Sequence, residues 1–210
     1  MQQAIEFSAV ISSAVFGVLL ARRNGMDVVG VFSMAFVVAF GGGTLRDVLL
    51  DRHPLFWIQN AHYPVIVFAI AIVTSFLPRL PNKTEKLLAV PDALGLGLFS
   101  IAGAAAAIEA GTSLFIAALM GAVTGTFGGV IADIICNRVP SLFRPAPVFA
   151  TCSFFGCWIY FGFDAMAWSK PFAAVIGIGV IVVARLIAVY LKLQLPNVEK
   201  TLGESKQNPE

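Results

Sequence analysis

Seven apolar blocks, separated by short polar connections, make up most of the chain. Each block approaches or exceeds the ~20 apolar residues that a helix needs to cross a bilayer. Because lipid offers backbone groups no hydrogen-bond partner, such blocks are predicted to be helices. The pattern therefore predicts an all-α integral membrane protein with seven transmembrane helices. The predicted spans are residues 5–21, 28–50, 62–78, 91–108, 113–136, 147–163 and 171–191.

The composition agrees with a chain whose solvent is mainly lipid. Of the 210 residues, 58% are hydrophobic and 12% are charged, whereas a soluble domain carries about 25% charged residues. The formal net charge is +2, and no basic run is suited to nucleic acid. The sequence has no phosphate-binding loop, no metal-ligand spacing and no nucleophile–base arrangement, so we predict neither an enzyme nor a cofactor.

Lysine and arginine are concentrated on one side of the predicted membrane. Alternate connections and the C-terminal tail place ten of these residues on one side and at most three on the other. Since cytoplasmic connections are enriched in lysine and arginine, the N-terminus is predicted outside and the C-terminus in the cytoplasm. Residues 1–195 then form a single transmembrane domain, and residues 196–210 form a polar cytoplasmic tail.

The sequence aligns with itself when it is shifted by 86 residues. Residues 17–54 match residues 103–140 at 10 of 38 positions without a gap, including a glycine pair, an aspartate, an arginine and a proline. Each copy holds three predicted helices, so the second copy enters the membrane from the opposite side. We therefore predict two inverted three-helix repeats, residues 5–78 and 91–163, plus a seventh helix at 171–191. Inverted repeats commonly enclose a transport pathway.

Matched glycine clusters lie near the ends of the second and fifth predicted spans. Glycine weakens a helix by ~1 kcal/mol relative to alanine, and it permits a kink or a close helix contact. Both interpretations are open, and the match at two positions favours a pore-lining kink. The candidate pore kinks are Gly41, Gly42, Gly43, Gly128 and Gly129.

Hydroxyl side chains accompany these glycines. They either replace water around a passing ion or bond back to a carbonyl group of their own helix, and the residue types leave both possibilities open. The candidate pore-lining or ion-binding residues are Thr124, Thr126, Thr44, Ser12, Ser13 and Ser100.

Charged residues at the ends of the predicted spans are candidates for a gate or a pore mouth. Such residues are costly in lipid and usually face protein or water. Asp47 and Asp133 either attract cations or pair with an arginine, since each is followed by an arginine five residues later. The candidate partners are Arg46, Arg52 and Arg138. The candidate gate or mouth residues are Arg46, Asp47, Asp133, Arg138, Glu6 and Asp92.

Four charged residues invite more specific expectations. Glu6 and Asp92 are each predicted to begin a helix, where the positive helix end stabilises a carboxylate. Arg46 has no counterpart in the second copy, because position 132 is Ala. Arg185, inside the seventh span, either extends to the cytoplasmic face or pairs with an acid.

At GGGTLRDVLLDRHP (41–54) and GTFGGVIADIICNRVP (125–140), the sequence resembles a known family. It is similar to the bacterial UPF0126 or "glycine transporter" proteins, which are related to the trimeric intracellular cation (TRIC) channels. The resemblance covers residues 5–192, and the GGG-x-x-RD string is typical of the bacterial branch.

The resemblance implies a TRIC-like homotrimer in the bacterial inner membrane, with a pore in each subunit. It implies that the second and fifth spans are kinked at their glycines. It also implies that the pore conducts monovalent cations, chiefly potassium. The partners expected are membrane lipid and permeating K⁺ or Na⁺, with no other metal.

Three functions are therefore open. A potassium-permeable channel is favoured by the mirrored glycines and the resemblance. A secondary transporter of glycine or another small solute is the alternative, because inverted repeats suit alternating access equally well. A membrane scaffold without a transport path is the third possibility.

Overall fold

The apolar blocks are helical in the computed structural model, which describes residues 1–76, 84–143, 148–166 and 168–193, with backbone only at 84–87. Within these ranges the chain forms eight α-helices, one 3-10 turn and no strand, so the all-α prediction is confirmed. The helices are α1 (Gln2–Arg23), α2 (Val28–Leu49), α3 (Phe56–Gln59), α4 (His62–Ser75), α5 (Thr84–Glu109), α6 (Leu114–Ile135), α7 (Ala150–Ala165) and α8 (Lys170–Tyr190), with the 3-10 turn at Ser141–Phe143.

Five of the described helices are long and apolar enough to cross a membrane. They are α1, α2, α6, α8 and the part of α5 from Leu88 to Glu109. The remaining two predicted spans coincide with the shorter helices α4, of 14 residues, and α7, of 16 residues. The chain is therefore a helical multi-pass membrane protein, and the count of seven crossings stays a prediction. The predicted tail at 196–210 lies outside the described residues.

Two helices depart from the boundaries that hydropathy predicts. The short helix α3 lies in the connection after the second span, where the sequence has no long apolar run. Helix α5 begins at Thr84 rather than at residue 91, and it contains Pro91. The first turns of α5 are polar, so a prediction from hydropathy leaves them out of the span. Asp92 consequently lies inside a helix, and Glu6 lies beyond the first turn of α1. The prediction that these two residues begin helices is wrong.

Local structure repeats at the same 86-residue offset as the sequence. The Asp27 side chain accepts a hydrogen bond from Gly30 N at 2.8 Å, and the equivalent Ser113 accepts one from Ile116 N at 3.4 Å. These two caps start α2 and α6, since the first N–H groups of a helix have no partner within it. Two further pairs share a left-handed backbone: Gly25 with Gly111, and Asp51 with Asn137.

Four helices form the centre of the molecule. Helix α1 packs against α2 and α5, and α6 packs against the other faces of α2 and α5. Helix α4 covers the α1–α2 side, while α7 and α8 cover the α5–α6 side. Close packing depends on small residues: a Cβ at Gly17 would collide with the backbone of Met34 and Ala35, and one at Gly103 with Thr124. The α2–α6 contact, which holds the candidate glycines, therefore lies in the interior.

Candidate functional site

Helices α2 and α6 cross where two glycines face the backbone of the opposite helix. A Cβ at Gly42 would collide with the carbonyl oxygen of Thr124, and a Cβ at Gly128 with the carbonyl oxygen of Val38. Gly42 and Gly128 are 86 residues apart, as are Val38 and Thr124, so the two contacts are equivalent. Small residues allow such an approach of two membrane helices. Of the two interpretations left open, the close crossing describes these two glycines in this conformation.

The other three candidate glycines face different neighbours. Gly41 lies against Ile131, and Gly43 lies against the ring of Phe56. At Gly129 an added Cβ would find its nearest neighbour, Phe149, at 3.9 Å. Both helices continue without interruption through their glycines. A kink at these positions stays a prediction.

Thr124 and Thr126 are buried and bond within their own helix. The Oγ1 atom of Thr124 donates to Met120 O at 2.6 Å, and that of Thr126 donates to Ala122 O at 2.7 Å. Each hydroxyl thus uses its proton on the carbonyl group four residues earlier, and its oxygen keeps lone pairs for a further contact. The back-bonding interpretation therefore describes both residues in this conformation.

The remaining hydroxyl candidates do not form one cluster. The Thr44 Oγ1 atom accepts a hydrogen bond from Trp57 Nε1 at 3.0 Å. Ser100 is buried, and its hydroxyl accepts a hydrogen bond from Ser153 Oγ at 2.5 Å. Ser13 is buried against Gly95, whereas Ser12 is half-buried.

A polar cavity of about 450 Å³ opens beside the start of α1 and the end of α2. We call it the Glu6 cavity. Three carboxylates and two guanidinium groups line it, together with uncharged polar side chains. The charged lining residues are Glu6, Asp47, Asp51, Arg46 and Arg52.

Arg46 is the central charge of the Glu6 cavity. Its side chain is 1% exposed, and it donates from Nη1 to Glu6 Oε1 at 3.0 Å and from Nε to Asp47 Oδ1 at 2.8 Å. The second Asp47 oxygen accepts from Phe56 N at 2.8 Å, at the start of α3. The guanidinium also lies 5.2 Å from the centre of the Phe56 ring. Arg46 is therefore held between two carboxylates and an aromatic face.

The arginines that follow the two aspartates by five residues bind elsewhere. Arg52 Nη2 lies 3.9 Å from Glu109 Oε2 at the end of α5. Arg138 Nη2 donates to Asn24 Oδ1 at 2.8 Å, just after α1. Each arginine thus reaches a residue of the other copy. Of the three arginines expected as partners of the aspartates, Arg46 binds Asp47, whereas Arg52 and Arg138 bind these other residues.

A second cavity, of about 230 Å³, opens beside the end of α1 and the end of α6. We call it the Asp92 cavity. Two carboxylates and three guanidinium groups line it. The nearest lining residues on α1 are Glu6 and Phe16, which are 10 residues apart, so the two cavities are about 15 Å apart along that helix. The charged lining residues are Asp92, Asp133, Arg23, Arg138 and Arg185.

The acids of the Asp92 cavity also have partners. Arg185 donates to Asp92 Oδ2 from Nε at 3.1 Å and from Nη2 at 3.0 Å. Of the two expectations for Arg185, pairing with an acid is the one that the structure shows. Asp133 Oδ2 accepts from Ser141 N at 2.8 Å and from Ser141 Oγ at 2.9 Å. Asp133 therefore fixes the turn after α6, much as Asp47 fixes the start of α3.

A small void lies between the Asp92 cavity and the α2–α6 crossing. Its volume is about 20 Å³, which is room for roughly one water molecule. It shares no lining residue with the Glu6 cavity. Four residues line both the void and the Asp92 cavity. Two of them, Phe16 and Phe149, were not predicted from the sequence, because no motif marks them. The shared residues are Phe16, Asp92, Gly129 and Phe149.

The chain is similar to membrane proteins of bacteria over most of its length. A family model described as glycine transporter matches twice, at residues 3–79 and 89–165, and these matches are also 86 residues apart. A UPF0126 membrane protein of Vibrio cholerae is 37% identical over 184 residues, which cover 87% of this chain and 77% of the relative. The UPF0126 inner membrane protein YadS of Escherichia coli K12 is 35% identical over 193 residues, covering 89% and 92%.

Solved structures of TRIC channels have the same fold as this chain. A TRIC trimeric intracellular cation channel orthologue from Rhodobacter sphaeroides superposes with a TM-score of 0.84 at 29% identity, covering 91% of this chain and 98% of that one. A second structure, described as the basis for conductance through TRIC cation channels, gives a TM-score of 0.82 at 29% identity, covering 93% and 96%.

Proposed function

Since this chain belongs to the bacterial UPF0126 family and has the fold of the TRIC cation channels, we propose that it is a cation channel. The pore passes through each subunit between α2 and α6 and conducts monovalent cations, chiefly potassium. One observation carries the proposal: charged cavities of about 450 and 230 Å³ approach the α2–α6 crossing from opposite ends. Together they leave a short closed stretch at the crossing.

The proposed topology has seven spans, two inverted repeats and a seventh helix, within a single domain of residues 1–195. The exchanged contacts at the crossing support it, because Gly42 touches Thr124 while Gly128 touches Val38. An axis of two-fold pseudo-symmetry relates such contacts. The Asp92 cavity, with its three arginines, then faces the cytoplasm, as does the tail at 196–210. The Glu6 cavity and the N-terminus face outward.

Opening of the proposed pore requires α2 and α6 to separate at the crossing. Glycine lowers the cost of bending a helix, so the five clustered glycines act as kinks in the open state. Thr124, Thr126 and Ser13 then offer hydroxyl oxygens to a cation that has lost part of its water. Homotrimer formation is proposed from the trimeric assembly named for the Rhodobacter sphaeroides relative. Membrane lipid covers the remaining apolar faces.

Recording from purified protein in planar bilayers tests the channel directly. We expect potassium current in discrete steps, with a reversal potential in a KCl gradient close to the potassium value. Gly42→Ala brings a methyl group against the Thr124 carbonyl and is expected to change the current. Gly179→Ala on α8 meets open space and serves as the matched control. An intact wild-type oligomer that passes no potassium current contradicts the proposal.

A secondary transporter of glycine or another small solute is the second candidate. The family description favours it, and two cavities with no shared lining residue also suit alternating access. Uptake of radiolabelled glycine into proteoliposomes distinguishes the two. Saturable uptake that Asp47→Asn abolishes supports the transporter, whereas a linear, non-saturating flux supports the channel. A scaffold without a transport path would show neither flux.

A further inference from the structure

Arg185 supplies a cation that the second sequence copy lacks. The family model matches residues 3–79 and 89–165, so α8 lies outside both copies. Asp92 is equivalent to Glu6, and the arginine that binds Glu6 is Arg46 on α2. The residue equivalent to Arg46 is Ala132. Arg185 takes over the role at Asp92, with two hydrogen bonds of 3.1 and 3.0 Å.

Arg185 also holds the two residues that precede α7. Its Nη1 atom donates to Val148 O at 3.3 Å. Its guanidinium carbon lies 4.2 Å from the centre of the Phe149 ring, within the range of a cation–π contact. Val148 N in turn donates to Leu193 O at 3.3 Å. One side chain therefore fixes the acid and the aromatic ring together.

Both groups held by Arg185 lie where the Asp92 cavity narrows into the inner void. Asp92 and Phe149 line the cavity and the void, and Gly129 and Phe16 complete that border. A cation that moves from the cavity toward the α2–α6 crossing has to pass these four residues. The void beyond has about 20 Å³, too little for a hydrated cation. The passage is therefore narrow where the guanidinium neutralises its carboxylate.

We propose that Arg185 is a tethered gate of the Asp92 cavity, and this inference rests on the proposed channel function. Its guanidinium occupies the place beside Asp92 that a permeating cation takes, and it holds Phe149 at the border of the passage. When the long side chain withdraws along α8, Asp92 becomes free to attract a cation. Phe149 loses its aromatic contact at the same time.

Opposite responses of two variants in planar-bilayer recordings test the gate. Arg185→Gln leaves the Asp92 carboxylate free, so we expect potassium conductance to rise about threefold or more. Asp92→Asn leaves the guanidinium without its carboxylate, so we expect conductance to fall by a similar factor. A charge in a narrow cleft changes the local ion concentration by a factor of about 10 or more. The reversal potential should move toward potassium in Arg185→Gln and away from it in Asp92→Asn.

A purely structural ion pair predicts a different result. Either substitution breaks such a pair, so both variants would change conductance and reversal potential in the same direction, and this outcome overturns the gate. Lys192→Asn removes a positive charge beyond the end of the same helix and should conduct like the wild type. An equal rise in that control would assign the effect to net charge and would also overturn it.

Two further results keep the conclusions separate. Arg185→Lys retains the charge without the planar fork, and its conductance should lie between those of the wild type and Arg185→Gln. If Arg185→Lys conducts as much as Arg185→Gln, a positive charge at position 185 does not restrict the current, and the gate is contradicted. If the wild-type protein passes no current, the proposed channel function itself is contradicted. If the wild type conducts and Arg185→Gln has the same conductance, only the gate is contradicted.

Discussion

Glu6 and Asp92 occupy equivalent positions in the two copies, and each binds an arginine, yet the arginines are held differently. Arg46 belongs to the same copy as Glu6, is 1% exposed, and bonds to two carboxylates. Arg185 comes from α8, outside the duplication, and its side chain is 10% exposed. Equivalent carboxylates are thus neutralised in different ways: Glu6 by a buried arginine of its own copy, and Asp92 by an arginine of α8. A helix added to a duplicated core can therefore make its two ends unequal.

The largest effect on the free energy of unfolding is expected when the buried Arg46 is replaced. Arg46→Met leaves Glu6 and Asp47 buried without their cation, and breaking a buried pair in this way costs about 3–5 kcal/mol. The free energy of unfolding, measured by SDS titration in detergent micelles, should fall by that amount. Lys192→Asn, which removes an exposed positive charge, is the control and should leave the unfolding free energy unchanged. Equal losses of unfolding free energy in the two variants would show that the buried Arg46 contributes no more than an exposed positive charge.

A smaller loss is expected when the cation from α8 is removed. Arg185→Met removes two hydrogen bonds to Asp92, and hydrogen bonds to charged groups contribute about 1.5–3 kcal/mol. The Arg185 side chain is 10% exposed against 1% for Arg46, so water offsets part of the loss and we expect it near the lower end of that range. The same SDS titration measures it. If Arg185→Met destabilises the protein as much as Arg46→Met, the two ends do not differ in the way described.

The helices and the duplication follow from the sequence, because both depend on local patterns. Apolar blocks longer than about 17 residues mark helices, and matched Gly, Asp, Arg and Pro mark the repeat. The start of α5 does not follow, because its polar first turns lie outside the apolar block and place Asp92 within the helix. The same limit explains why α3, four residues long, could not be predicted.

Partners that lie far apart in sequence could not be identified for the charged residues. Asp92 and Arg185 are 93 residues apart in sequence, and Glu6 and Arg46 are 40 apart. Spacing along the chain says which residues share a helix, not which helices face each other. Arg46 and Arg52 were both candidate partners of Asp47, and the adjacent Arg46 is the one that binds it. Packing of α1 on α2 brings Glu6 to the same guanidinium.

The close crossing gives a test of symmetry between the two copies. Gly42→Ala and Gly128→Ala each press a methyl group against a backbone carbonyl, and overpacking of this kind costs about 1–3 kcal/mol. The contacts are equivalent in position, but the methyl group at Gly42 comes closer to the facing carbonyl oxygen than the one at Gly128. Both unfolding free energies should therefore fall, and Gly42→Ala should cause the larger loss. Gly179→Ala, which meets open space on α8, is the control and should be neutral. If either variant is as neutral as Gly179→Ala, the close crossing at that glycine is contradicted.

The smallest effect is expected at the bridge between the copies. Arg52 and Glu109 are 39% and 56% exposed and 3.9 Å apart, so water and salt screen their attraction, and such pairs contribute about 0–1 kcal/mol. Arg52→Gln should therefore lower the unfolding free energy by less than about 1 kcal/mol, and the loss should vanish when the titration is repeated in high salt. Glu109→Gln removes the other partner of the pair and should give the same small, salt-dependent loss. A larger loss that persists in high salt would mean that Arg52 stabilises the protein as the buried Arg46 does. The buried and the exposed arginine would then not differ in their contribution to the unfolding free energy.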